Sequence, residues 1–219
     1  MARIKATMIS LKTVLILLIL CVGLYDWNNQ LSIKKTNETD ASEISAIDKR
    51  YVQHGEGTIV IPALNIRQNI YSQSNSEALN KGAEQLRNSA YQLKFGEGNL
   101  VLAAHNYNDN HRGFSRLQQN TNQDAPYLVN DQRNSNNWLN GTEILIVNSD
   151  RIYVYSIDGQ NTVRASDTSV LEQTTNRELN LITCLFPSDQ YRIVTHANQT
   201  GSFTWEQAPQ LLKNQVLGR

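Results

Sequence analysis

The sequence predicts a mainly β fold: a closed or nearly closed eight-stranded β-barrel with a few short helices, preceded by an N-terminal transmembrane helix. Three observations predict it. Short apolar runs recur from Gly57 to Ala197, each bounded by polar or turn-forming residues, as strands are. Little of that region keeps a helical period, and there is no internal repeat, so many short strands must pair with one another. The one long apolar run stands near the N-terminus, and no second one follows it.

Composition narrows the function. The 219 residues suit one ordinary domain with accessory segments. Twenty Lys and Arg balance twenty Asp and Glu, giving a net charge of +0. With no basic, aromatic-interleaved patch either, nucleic acid is not expected as a partner. Asn and Gln crowd the stretch between Asn106 and Asn140, which favours exposed loops. The two cysteines are Cys21, inside the apolar run, and Cys184, so no disulfide between them is expected. No Cys/His grouping has zinc spacing.

Along the chain, Arg3, Lys5 and Lys12 precede the uncharged run from Thr13 to Tyr25. Counted from Met8 to Trp27, the segment has about the 20 residues a helix needs to cross a membrane, with Lys12 snorkelling and Tyr25 and Trp27 at the interface. No small-residue cleavage site follows, and Leu20 is too bulky for a lipoprotein site at Cys21. Residues 1–27 therefore read as an uncleaved anchor rather than a cleaved signal. The basic flank places the N-terminus in the cytoplasm and the rest outside a single-pass cell-membrane span. Residues 28–56 are polar, with Ile44 and Ile47 marking a short helical stretch, and read as a stalk. Residues 57–219 form the extracellular domain.

Within that domain, Thr58–Pro62 and Asn65–Tyr71 read as strands, and Ser76–Gly82 as a short helix with a Ser cap and a Gly stop. Asn99–Ala104 is a strand, followed by a polar loop from Asn106 and a helical turn at Phe114–Leu117. Gln118–Gly141 is a long polar insertion whose large anchors are Tyr127, Leu128 and Trp138. Glu143–Val147 and Arg151–Ile157 form a hairpin, Thr162–Ala165 a further strand, and Ser169–Gln173 a turn of helix. Glu178–Cys184 and Tyr191–Ala197 are strands, and Trp205–Asn214 is a short helix or tail.

Three reactive side chains stand at strand ends. Cys184 closes one apolar run, His105 follows another, and Arg192 opens a third. A thiolate attacks a carbonyl, an imidazole takes and returns the proton, and a guanidinium steadies the developing oxyanion. Strand alternation puts Ile182 with Cys184 on one face and Leu181 with Thr183 on the other; it puts Arg192 with Val194 and His196. The plain alternatives are a buried inert cysteine and an arginine paired with a carboxylate. Of the other histidines, His111 lies in the adjoining loop, His196 reads as a strand-surface residue, and His54 falls in the stalk.

At these sites the chain resembles the sortases, membrane-anchored transpeptidases of Gram-positive bacteria. Their Thr-Leu-x-Thr-Cys motif is matched by Asn180-Leu181-Ile182-Thr183-Cys184 except at its first residue. Their Ala-Gly-His is matched by Ala103-Ala104-His105, with Ala for Gly, and their strand-opening arginine by Arg192. Phe114-Ser115-Arg116-Leu117 also fits, and the likeness runs from about Gly57 to Ala197. Class A, the housekeeping type, is the nearest: no Asp-Pro-aromatic lid motif precedes the barrel, and Ser166–Arg177 is too short for the helical insertion of class B.

The resemblance implies a sortase-type barrel and cleavage of a Leu-Pro-x-Thr-Gly-like (LPXTG) sorting signal on surface proteins, between Thr and Gly. It makes Cys184 the nucleophile, His105 the proton carrier and Arg192 the holder of substrate or oxyanion, with an amine of a peptidoglycan precursor as acceptor. It also assigns Ala103, Ala104, Ile182 and Thr183 to the substrate groove. No cofactor is expected: the calcium-binding acidic cluster of some class A members is not evident, since Ala90–Leu102 holds only Glu97. A cysteine peptidase using water, and a membrane-tethered binding module, remain the alternatives.

Overall fold

Eight strands, in spatial order β11 (Tyr191–Thr204), β10 (Glu178–Cys184), β4 (Asn99–Ala103), β3 (Ala83–Leu86), β2 (Ile66–Tyr71), β1 (Gly57–Ile61), β8 (Glu143–Val147) and β9 (Arg151–Arg164), close into a barrel because β9 pairs back to β11. The computed structural model describes residues 56–72, 76–86, 94–109 and 111–219; the expected anchor and almost all of the expected stalk lie outside them. Among the described residues no helix is long and apolar enough to cross a membrane.

The first hairpin shows how local chemistry sets the register. β1 (Gly57–Ile61) stops at a 3-10 turn, Pro62–Leu64, because proline has a fixed φ and no N–H for the ladder. Asn65 then adopts a left-handed conformation (φ 49°) and donates its N–H back to Pro62, which reverses the chain. β2 (Ile66–Tyr71) therefore returns antiparallel, from Ile61 opposite Ile66 to Gly57 opposite Ile70. A short helix, α1 (Ser76–Lys81), leads into β3 (Ala83–Leu86), which pairs parallel with β2 and antiparallel with β4 (Asn99–Ala103). β3 is absent from the sequence expectations because Glu84 and Gln85 hide its pattern.

β8 (Glu143–Val147) and β9 (Arg151–Arg164) form the expected hairpin. β9 runs unbroken, although Asp158-Gly159 reads as a break between two strands. A register shift opposite His196 and Ala197 absorbs the irregularity. β10 (Glu178–Cys184) has the expected bounds, while β11 (Tyr191–Thr204) extends well past Ala197 along β9. The C-terminal helix, α2 (Gln210–Leu217), ends at Gly218, whose φ of 72° lets its N–H reach the carbonyls of Asn214 and Gln215.

The barrel interior is filled by Ile59, Ile61, Leu100, Leu102, Ile144, Ile146, Tyr155, Leu179 and Leu181, all fully buried. Alternation then sends Cys184, Ile182 and Asn180 to the outer face.

Two further segments shape that face. The insertion carries short strands β5 (Leu128–Val129), β6 (Gln132–Arg133) and β7 (Ser135–Asn136), the last added to β9. It is pinned by Tyr127, fully buried with Leu185 and Ile193 and flanked by Leu128 and Tyr191. The insertion thus supports the turn between the cysteine strand and the arginine strand. The Tyr127 hydroxyl and the Trp138 indole N–H meet the buried Gln160 Oε1 at 3.1 and 2.8 Å, while Gln160 Nε2 donates to the Leu117 carbonyl and to Thr195.

The second segment is the β9–β10 connection, residues 165–177. It starts where Arg164 pairs with Tyr191 and ends where Glu178 pairs with Asn99 and Asn198. It therefore travels from one rim of the barrel to the other, past β11 and β10, to reach β4. Val170, within its 3-10 turn Ser169–Leu171, and Glu172 just after it accept hydrogen bonds from Asn99, which shares the outer face with Cys184. The connection accordingly lies over that face.

Candidate active site

Strand direction gathers the reactive groups. β4 and β10 are parallel, with Ala103 opposite Ile182, so their C-terminal ends share one rim of the barrel. His105 follows β4 there, and Cys184 ends β10. β11 is antiparallel to β10, so its beginning is at the same rim, and Arg192 is the direct partner of Cys184. All three side chains are half-buried, and Cys184 is a free thiol.

The ladder is extended past Ala103 by one bond, Ala104 N–H to the Ile182 carbonyl at 3.1 Å. The Thr183 hydroxyl then donates to the Ala104 carbonyl at 2.9 Å, clamping the two strand ends together. Of the four expected groove residues, Ala103 and Ile182 lie paired on the face of Cys184. Ala104 and Thr183, only 5% and 2% exposed, sit on the opposite, buried side and hold each other.

His105 is held from behind by the following loop. Its carbonyl accepts the Phe114 N–H at 2.9 Å, and Asn106 bridges to Gly113. A Cβ on Gly113 would come within 2.1 Å of the His105 carbonyl, and its φ is +58°, so only glycine fits. The His105 ring lies 5.3 Å from the Tyr107 ring, and the Arg112 guanidinium stacks 4.3 Å above Tyr107. Asp109 fastens Arg112; hydrogen bonds from the Arg112 backbone and side chain and from the His111 N–H lower its carboxyl to about 2. His111 is exposed in that loop, its backbone N–H donating to Asp109.

Arg192 is tied to the turn that joins its strand to the cysteine strand. Its Nη1 donates to the carbonyls of Asp189 and Tyr191 at 2.8 and 2.9 Å. The same turn is braced by two amides that the sequence reading did not single out. Asn106 Nδ2 donates to the Cys184 carbonyl at 3.0 Å and to Gln118 Oε1 at 2.7 Å. Gln118 Oε1 also accepts the Phe186 N–H, and its Nε2 donates to the Phe186 carbonyl. Asn106 had one signal, its place directly after His105; a buried glutamine inside a polar stretch has none.

The outer face continues from Cys184 over Ala103, Ile182 and Val194 to Asn180 and His196. There a cavity of about 550 Å³ opens, lined by Asp158, Asn161, Glu178, Asn180 and His196 among others. His196 thus stands on the face of Arg192 but four rungs away from it. Among the described residues no group of three or more His, Cys, Asp or Glu is placed to hold a metal ion.

A closed β-barrel with a histidine, a cysteine and an arginine on one rim, set by one parallel and one antiparallel partner of the cysteine strand, is the architecture of a sortase domain. Residues 59–200 match the Sortase domain family, and the chain belongs to it. It is similar to sortase A of Listeria monocytogenes, with 22% identity over 170 residues, covering 72% of this chain and 67% of that protein. The solved structure of that sortase A superposes with a TM-score of 0.60 at 20% identity, covering 76% of this chain and 99% of that one. Sortase C-3 of Streptococcus pneumoniae gives 0.57 at 17% identity, over 84% and 92% of the two chains.

Proposed function

We propose that this protein is a membrane-anchored cysteine transpeptidase of the class A sortase type. It would join surface proteins carrying a Leu-Pro-x-Thr-Gly-like signal to an amine of a peptidoglycan precursor. The observation that carries the reading is the meeting of His105, Cys184 and Arg192 at one rim. The family supports the reaction class, and the sortase A relative supports the finer assignment.

The residues divide the work as follows. The Cys184 thiolate attacks the threonine carbonyl carbon, and the oxyanion formed is met by the Arg192 guanidinium. As the C–N bond breaks, His105 gives its proton to the departing glycine amine, leaving a thioester on Sγ. The acceptor amine then attacks that carbonyl and yields a proton to His105. The C–S bond breaks, and an amide is formed with the thiolate restored. No cofactor enters the cycle. Ala103 and Ile182 floor the groove beside the thiol.

The test uses the purified full chain with a quenched Leu-Pro-x-Thr-Gly peptide, with and without an oligoglycine amine. A ligated product that depends on Cys184 is the expected result. Cleavage with no ligation in any amine would favour a peptidase. No turnover, with Cys184 inert to thiol reagents, would favour a binding module.

A further inference from the structure

We propose that His196, acting through Asn180 and Asn99, is a positioning residue that locks the 165–177 connection over the nucleophile's strand and so sets the peptide groove. The inference rests on the transpeptidase reading for its kinetic consequences, and on geometry alone for the lock itself.

The hydrogen-bond chain has a direction that can be read from one end. The carbonyls of Val170 and Glu172, in the connection, can only accept, and Asn99 Nδ2 donates to them at 2.8 and 2.9 Å. Asn99 must therefore present Oδ1 to Asn180, whose Nδ2 donates to it at 2.6 Å. That turns Asn180 Oδ1 toward His196 Nδ1, which has to carry the hydrogen. At the other side of the ring Asn161 Nδ2 faces Nε2 at 3.2 Å, while Asn161 Oδ1 is taken by the Ser135 hydroxyl at 2.7 Å. With Asn161 set this way the imidazole is neutral, donating at Nδ1 and accepting at Nε2, the form that burial of the ring favours. A second proton would set an N–H against the Asn161 amide hydrogens.

This chain crosses the outer face from β9 through β11 and β10 to β4 and on to the connection. Asn180 is four residues before Cys184, roughly 13 Å away at about 3.3 Å per residue. That is beyond contact with the reacting atoms but within reach of an extended peptide lying on the same face. Asn180 is also where the chain departs from the Thr-Leu-x-Thr-Cys pattern, and it is only 6% exposed. Burial lowers the His196 pKa, opposed by Asp158 on β9 and Glu178 on β10. β4 presents only uncharged Val101 and Asn99 here, and the connection meets Asn99 through its two carbonyls and the Gln173 amide, which donates to the Asn99 carbonyl at 3.2 Å.

The experiment compares the full chain with His196→Phe, which keeps a ring but no donor, and His196→Asn, whose amide nitrogen stands where Nδ1 does. Losing one buried hydrogen bond should raise the peptide KM about fivefold in His196→Phe, with kcat within about twofold and Cys184 alkylation unchanged. Amide exchange within residues 165–177 should quicken in the same variant. His196→Asn should hold both near wild type. Unchanged exchange in His196→Phe, or equal damage from both variants, overturns the proposal. So does a wild-type ¹⁵N spectrum placing the proton on Nε2, a reading that needs no variant to fold. If wild type turns over no peptide, the transpeptidase reading fails, while exchange and tautomer still decide the lock.

Discussion

Cys184 and Arg192 occupy opposite ends of one rung, which makes their roles separable by substitution. Cys184→Ala removes the only described atom able to form the thioester. Ligation is expected to fall on the order of 10⁴-fold or more, read as the loss of an acyl-enzyme by mass spectrometry. Arg192→Lys keeps the charge but not the guanidinium fork, which can hold the turn carbonyls through Nη1 and still offer other N–H groups to the proposed oxyanion. It is expected to lose at least about 100-fold in kcat/KM, and activity close to wild type would assign Arg192 a purely electrostatic part. His196 yields a stability prediction of defined sign. Its pKa is lowered from 6.5 by burial, so the unfolded chain binds more protons just below that value. The contribution is fully present above about pH 6.5 and is lost as pH falls through the lowered folded value. Melting points between pH 7 and 5 should therefore fall more steeply in wild type than in His196→Asn.

At the scale of elements, the parallel pairing of β4 and β10 decides where His105 lies, and the loops behind it decide how firmly. Gln118 accepts from Asn106 and Phe186 on one side of its amide and donates to carbonyls on the other. Gln118→Glu turns those donors into acceptors facing the Phe186 carbonyl, whereas Gln118→Ala merely deletes them. The Glu variant should have the lower melting point, and both should slow alkylation of Cys184, whose carbonyl Asn106 holds. The insertion is a buttress by the same reasoning. Gln160, 1% exposed, satisfies Tyr127, Trp138, Thr195 and the Leu117 carbonyl at once. Gln160→Leu strands several buried polar groups and should cost about 3 kcal/mol. For a barrel of this size that is a melting point lower by roughly 6–12 °C.

For the whole molecule, much of the fold was legible because its strands alternate or run apolar between turn residues. Glu178–Cys184 and the 143–157 hairpin needed nothing more. β3 was not legible, because Glu84 and Gln85 are placed by neighbours on both sides rather than by their own pattern. The unbroken course of β9 was hidden because Asp158-Gly159 reads as a break, whereas pairing along the length of β11 carries the strand through it, with Asp158 as an extra residue between the Gly159–His196 and Ile157–Ala197 pairs. By itself the sequence determined which side chains are reactive, the strand ends on which they stand, and the alternation that turns Cys184 away from Leu181. These are local properties of residue type and period. Only the tertiary structure decided that the three ends meet, since that depends on β10 running parallel to β4 and antiparallel to β11. It also decided that Ala104 and Thr183 brace the strands from the buried side, that Gln118 and Asn106 hold the cysteine turn, and that His196 is joined to the connection across three strands. Each of these is a contact between residues far apart in the chain, and amides and carbonyls in a linear sequence leave no sign of which partner they will find.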